Sequence, residues 1–286
     1  MSTITGALNN QFLEKLTGTV GDDDFFPRGG WDMVDGGAGT DVVHVQGHAA
    51  DYKVTNINGV IYIDSVSAAS SSIQETQLIN VEKIQFDDNS VDLTAPMHFT
   101  NHAAGERFQG GAGLDVLSYE LSRSSYDVSK SGNLFVVTDN VSNGGVDLLS
   151  SIERLTFKDV NVALDLDGNA GEVVKIIGAV FGANALKTHP EYVGIGLSYR
   201  DAGMGFNALM SLALAAANLN APQSLVSQLW FNVMHQVGSE AQLLPFVQML
   251  GAGTAPVELA VMAANAAQNL TSINLVGLSN TGVVYV

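Results

Sequence analysis

The chain has 286 residues, with 29 acidic against 12 basic side chains, a formal net charge of −17 and no cysteine. That balance argues against electrostatic attraction to nucleic acid or to an anionic membrane, and it suits the binding of cations. Without cysteine, neither disulfides nor thiol chemistry can operate.

The N-terminal stretch MSTITGALNNQFLEKL has no basic region followed by an apolar core, so no cleavable secretory leader is expected there. No uninterrupted apolar run reaches the ~18–20 residues of a membrane span. The longest, around 208–219, is short and alanine-rich. The expectation is a protein that is either cytoplasmic or exported by a route that does not read the N-terminus.

Residues 18–44 divide into three nonapeptides, GTVGDDDFF, PRGGWDMVD and GGAGTDVVH. Each has glycine fourth, aspartate sixth and a large apolar residue eighth: Gly21, Asp23, Phe25; Gly30, Asp32, Val34; Gly39, Asp41, Val43. The pattern is GGxGxDxUx, a β-coil repeat that carries calcium. Six residues make a turn whose backbone visits conformations open mainly to glycine. The other three make a short strand with the apolar side chain inward. Such a turn aims carbonyl oxygens and one carboxylate at a common point, and calcium takes six to eight hard oxygen ligands. Two nonapeptides complete one coil, so Asp23 and Asp41, eighteen residues apart, are expected to flank one ion. Asp32 lies on the opposite edge, with its next partner expected near Ala50-Asp51, a site that reads as incomplete.

A repeat of roughly seventy residues covers the part before 165. Gly36-Gly37-Ala38-Gly39 matches Gly110-Gly111-Ala112-Gly113, Asp41 matches Asp115, and Val81-Glu82-Lys83-Ile84 matches Ile152-Glu153-Arg154-Leu155. Between these anchors, alternating runs such as Val60–Ile63 and Leu134–Val137 predict strands. The serine-rich 65–72 reads as a loop. In the second copy only 110–118 fits the nonapeptide. The preceding NHAAGERFQ carries Ala104 and Glu106 at the key positions. Glu82 and Glu153 recur in the two copies and read as structural.

After 165 alanine and leucine take over and charges thin out. Helices are expected on apolar faces at Val173–Phe181, Phe206–Ala216, Val226–Val233 and Leu243–Leu250, and a last one from Thr254 to about Asn269. Asn220–Gln223 and Ser239–Gln242 have capping-box form. Gly238 and Gly251 read as stops, and the tail from Gly277 as strand or irregular. Asp165-x-Asp167-Gly168 suggests an EF-hand, but the twelfth position is Ile176 rather than a bidentate glutamate, so the segment reads as helix entry with Asn169 or Asp167 near the cap.

On the motifs of 18–44 and 110–118, the chain resembles the RTX (repeats-in-toxin, hemolysin-type calcium-binding) family. The resemblance implies calcium-dependent folding outside the cell after type I export through an uncleaved C-terminal signal. Candidate metal-site residues are Asp23, Asp32, Asp41 and Asp115 with the turn residues Gly18, Val20, Gly21, Gly36, Ala38 and Gly39. On Asp165-x-Asp167-Gly168-x-Ala170-Gly171, Gly196-Leu197-x-Tyr199 and Leu229-Trp230-x-Asn232-Val233, the rest resembles the helical domain-of-unknown-function family 4214. It departs from that family at Gly182-Ala183-Asn184-Ala185, where a basic residue, proline and aspartate usually stand.

The expected fold is α+β: an N-terminal β-rich part with short RTX-type parallel β-roll turns in two repeats, then an all-α domain. Expected boundaries are 1–96, 97–164 and 165–286. His44/His48 and His98/His102 share i, i+4 spacing but fall on strand and loop, and no HExxH, GxSxG or phosphate-loop motif is present. The expected function is a secreted, calcium-binding, non-enzymatic cell-surface or matrix protein, adhesin-like or surface-layer-like, whose partner is a surface component or itself. The alternatives are a secreted hydrolase or other enzyme carrying an RTX segment, and an accessory protein-binding module.

Overall fold

The structure, a computed structural model, describes residues 2–7, 10–57, 60–66, 73–101, 105–111, 113–141 and 145–286. Most of the serine-rich 65–72, together with His102, Ala104 and Ala112, lies outside the described residues. The fold is mixed α+β, with strands through residue 163 and helices mainly C-terminal. Two compact units form. One holds residues up to 117 with Asp147–Ile152, the other Ser118–Val146 with Glu153–Val286.

In the first unit, β1 (Ser2–Thr5), β2 (Asn10–Thr17), β3 (Asp23–Phe26), β4 (Gly30–Asp35) and β5 (Val42–His44) alternate between two sheets. Neighbours within each sheet are parallel: β1 with β3, β3 with β5, β2 with β4. The chain then leaves the coil through a 3-10 turn, Ala49–Asp51, into the antiparallel β6 (Tyr52–Ile57) and β7 (Val60–Ser65). It returns by β8 (Ile73–Ile79), parallel to β4, and β9 (Lys83–Gln85), parallel to β5. β10 (Ser90–Asp92) closes antiparallel on β9.

The two-residue period of a strand explains why the aspartates are interior. In β4 the buried positions are Gly30, Asp32 and Val34, while Trp31 faces outward. In β3 they are Asp23 and Phe25. An aspartate two places before an apolar core residue shares its face, so the nonapeptide carries a carboxylate inside along with the hydrophobe. The core consists of Phe25, Val34, Val43, Ile63, Leu78 and Ile84, all essentially inaccessible, each worth about 1.5–3 kcal/mol of burial.

The second copy follows with β11 (His98–Thr100), β12 (Arg107–Gln109), β13 (Val116–Ser118), β14 (Tyr126–Ser131), β15 (Leu134–Asp139), β16 (Val146–Ser150), β17 (Arg154–Thr156) and β18 (Asn161–Ala163). Within the first unit β12 pairs parallel with β16. Within the second, β14 and β15 form a hairpin, and β18 lies antiparallel between β17 and the C-terminal β19 (Val283–Tyr285).

The helices of the second unit are α1 (Asn169–Phe181), α2 (Ala185–Thr188), α3 (Pro190–Asp201), α4 (Phe206–Ala216), α5 (Pro222–Met234), α6 (Glu240–Gly251), α7 (Pro256–Asn265), α8 (Ala267–Ser272) and α9 (Leu275–Thr281). The Ser239–Gln242 box forms, with the Ser239 amide donating to Gln242 Oε1 at 2.9 Å. The Asn220 box does not: α5 starts on Pro222 at its first turn, with Ala221 as cap. It ends at His235 in the left-handed region, φ 55°, three residues before the expected Gly238. The expected last helix is broken at Ala266, whose extended backbone (ψ 139°) separates α7 from α8. The tail winds into α9 before its strand. At α1, Gly168 is the cap, and the Asp165 carboxylate, rather than Asp167 or Asn169, accepts from the Ala170 amide at 3.3 Å.

Asp165 and Asp201 also hold Arg154, which is 3% exposed. Its Nη2 meets Asp201 at 2.8 Å and its Nη1 meets Asp165, which fixes β17 to the α1 entry and to the end of α3. The Asp-x-Asp-Gly segment is therefore an ion-paired helix entry. Among the described residues no helix is long and apolar enough to cross a membrane.

Candidate metal centre

Two edges of the first coil carry carboxylates, and the structure uses them differently. On one edge they form a ladder. Asp23 Oδ1 accepts from the Ser2 amide at 3.0 Å, Asp41 Oδ1 from the Asp23 amide at 2.8 Å, and Glu82 Oε2 from the Asp41 amide at 2.7 Å. Each carboxylate thus binds the backbone of the preceding coil. Asp23 Oδ2 is occupied by the Thr19 amide and hydroxyl, at 2.6 and 2.9 Å. The Thr19 amide chiefly holds the Asp23 carboxyl below the usual carboxylate range. Asp23 and Asp41 therefore do meet, through an amide of one and an oxygen of the other. Asp41 keeps one buried oxygen, Oδ2, with no partner among the described residues. Burial is the main cause that pushes its pKa up, with Glu82, Asp23 and Asp22 adding repulsion.

The glycines serve close stacking of the coils. A Cβ on Gly18 would lie 1.9 Å from the Gly36 carbonyl oxygen. One on Gly36 would lie 1.9 Å from the Asn80 carbonyl and 2.5 Å from Asp41 Oδ2. Only a bare Cα lets the next coil and the motif's own carboxylate approach together. Gly39 adopts φ +131° against the Gly21 backbone, while Gly21 itself has open space where a Cβ would go. Val20 is 92% exposed, and the Ala38 amide donates to the Thr19 carbonyl at 3.3 Å.

On the other edge the carboxylate is left bare. Asp32, 1% exposed, has neither carboxylate oxygen hydrogen-bonded among the described residues. In register it lies between Glu14 of β2 and Thr76 of β8. Register partners on adjacent strands share a face about 4.8 Å apart. The Thr76 hydroxyl is likewise buried and unpartnered, and Glu14 Oε2 accepts the Ala7 amide at 2.8 Å. Burial first, and Glu14 second, push the Asp32 pKa up to about 6. Two carboxylates and a hydroxyl in one inward row, with no cation on Asp32 among the described residues, is a donor set that suits a hard divalent ion.

The expected neighbour Asp51 is not part of this row. It belongs to the 3-10 turn and accepts from the His48 amide at 3.2 Å. The chain leaves the coil after β5, and β8 supplies the next rung with Thr76. Glu14, Thr76 and the ladder role of Glu82 were not singled out from the sequence as site residues. Glu14 and Leu16 nevertheless hold the sixth and eighth places of NNQFLEKLT, one step of nine before Gly18. The missing fourth-place glycine hid them.

Asp115 lies in the second copy. Its Oδ1 accepts from the Met97 amide at 2.6 Å and its Oδ2 from the Gly111 amide at 2.7 Å. His44 and His48 do not converge. His44 bonds Asp24 at 2.7 Å and stacks on Phe26, and His48 lies 3.3 Å from Asp88. No cluster of three histidine, aspartate or glutamate side chains poised for a metal occurs among the described residues. The row at Asp32 supplies two carboxylates and needs backbone or solvent oxygens to complete a shell.

No family model matches the chain, and no curated protein matches it. Among solved structures, the extracellular lipase LipA from Serratia marcescens is similar over 49% of this chain and 36% of that one. The identity is 10% and the TM-score 0.19, so the likeness carries no argument. The matched region is about a third of the lipase's length.

Proposed function

We propose that this chain is an exported, calcium-binding, non-enzymatic protein of the cell surface or extracellular matrix, with its first coil an RTX-type β-roll. The observation that carries the reading is Asp32: a buried carboxylate with two bare oxygens, beside Glu14 and Thr76, in a chain of net charge −17. Glu14, Asp32 and Thr76 would hold the ion, and on the other edge the free Oδ2 of Asp41 is the remaining donor. The ion would supply the positive charge that this row lacks. Its binding offsets the ordering entropy of the glycine turns and stabilises the coil by mass action, so folding follows external calcium. The nonapeptide spacing supports the RTX resemblance, and the helices resemble family 4214, which often follows RTX segments in bacterial surface-layer and adhesin-like proteins.

Circular dichroism tests this directly. In about millimolar calcium, the range of extracellular modules, β-signal is gained, and chelator removes it. A spectrum indifferent to both rejects the reading.

One observation favours the accessory-module alternative. The second unit has an apolar cleft of about 290 Å³ between α5, α6 and α7, lined by Val226, Trp230, Phe246, Leu259 and Met262 without a charged side chain. Retention of a neutral apolar probe such as N-phenyl-1-naphthylamine by the calcium-free protein would support that reading.

A further inference from the structure

The two copies of the repeat treat equivalent positions differently. In the first, both Asp32 oxygens, Asp41 Oδ2 and Thr76 Oγ1 are buried without partners among the described residues. The alignment of Gly36 with Gly110 and of Val81 with Ile152 puts Glu106 at the place of Asp32, Asp115 at that of Asp41, and Asp147 at that of Thr76. In the second copy, backbone and amide N–H groups hold these carboxylates. Asp115 takes the amides of Met97 and Gly111. Asp147, 4% exposed, takes the Glu106 amide on Oδ1 and the Asn101 side-chain amide on Oδ2, both at 2.8 Å. The same Asn101 nitrogen reaches Glu106 Oε2 at 3.3 Å.

The turns differ to match. Gly37 and Gly39 sit at φ +94° and +131°. Gly111 and Gly113, at the same places, are outside the left-handed region, and the Gly111 amide is turned onto Asp115. One glycine-rich sequence thus makes two turns. One leaves a carboxylate oxygen bare, and the other satisfies it from within the turn.

We infer that the cation requirement is confined to the first copy: a divalent ion completes the coil of residues 10–44 and 73–85, and the carboxylates of the second copy are held by N–H donors. The inference rests on the calcium reading above and assigns it to one of two homologous coils. Where segments open independently, an ion adds to the opening free energy of the one that holds it. Charge-assisted N–H bonds to a carboxylate persist without any ion. Chelation then favours local opening of the first coil rather than unfolding of the chain.

Hydrogen exchange of the full chain, read by mass spectrometry in millimolar calcium and in excess chelator, tests the assignment. Peptides from 10–44 and 73–85 are expected to exchange at least tenfold faster in chelator, with 113–117 and 145–152 unchanged. Equal acceleration in both copies, or acceleration in the second alone, overturns the assignment and leaves calcium-dependent folding standing. No acceleration anywhere overturns the calcium reading itself.

Discussion

Replacing Asp32 with asparagine separates the cost of a buried charge from its use. At pH 7 without calcium, Asp32 is ionised in an interior that has pushed its pKa up from 3.8 to about 6. At 1.36 kcal/mol per unit, that charge opposes folding by about 3 kcal/mol. Asparagine keeps the shape and removes the charge, but its amide must find partners beside Thr76, at a cost of about 1–2 kcal/mol. Asp32→Asn is therefore expected to be more stable than the parent in chelator, by about 1–2 kcal/mol, and to gain little from calcium. Urea unfolding followed by circular dichroism, with and without calcium, measures both quantities. A variant less stable in chelator, with its calcium increment intact, would refute the reasoning.

Other outcomes follow from the same geometry. In chelator, stability should rise as pH falls from about 7 towards 4, because folded Asp32 binds its proton near pH 6 while the unfolded chain binds it near 4. Calcium should flatten this slope, and a thermal-melt series across pH reads it. Gly36→Ala should cost more than about 3 kcal/mol or prevent the coil from forming, since its Cβ would collide with the Asn80 carbonyl, whereas Gly21→Ala should stay within about 1 kcal/mol. Paired melting curves would expose equal losses, which the stacking account forbids. Arg154→Ala should destabilise the second unit by about 3–5 kcal/mol, leaving Asp165 and Asp201 without their shared cation, with no dependence on calcium.

Much of the fold could be read from the sequence. The alternation that puts Asp32 and Val34 on one face is a two-residue period, and the nine-residue step gave the parallel coil its spacing. The helical faces and the Ser239 box were visible because periodicity and capping are local. What stayed hidden depended on long-range return. Nothing near Thr76 announces that β8 re-enters beside β4 after the β6–β7 hairpin, so the nine-residue step points to Asp51 instead as the partner of Asp32. The breaks at His235 and Ala266 lack the glycine that usually signals them. The two GGAG turns are identical in sequence. What differs is the segment each turn packs on, Thr19 and Gly21 for the first and Leu93, Thr94 and Ala95 for the second.

Isothermal titration calorimetry of calcium into the intact protein and into Asp32→Asn tests the central claim most directly. The account predicts a saturable heat for the parent at about millimolar calcium or below, and its loss in the variant. The same heat from both proteins, or none from the parent, would contradict it.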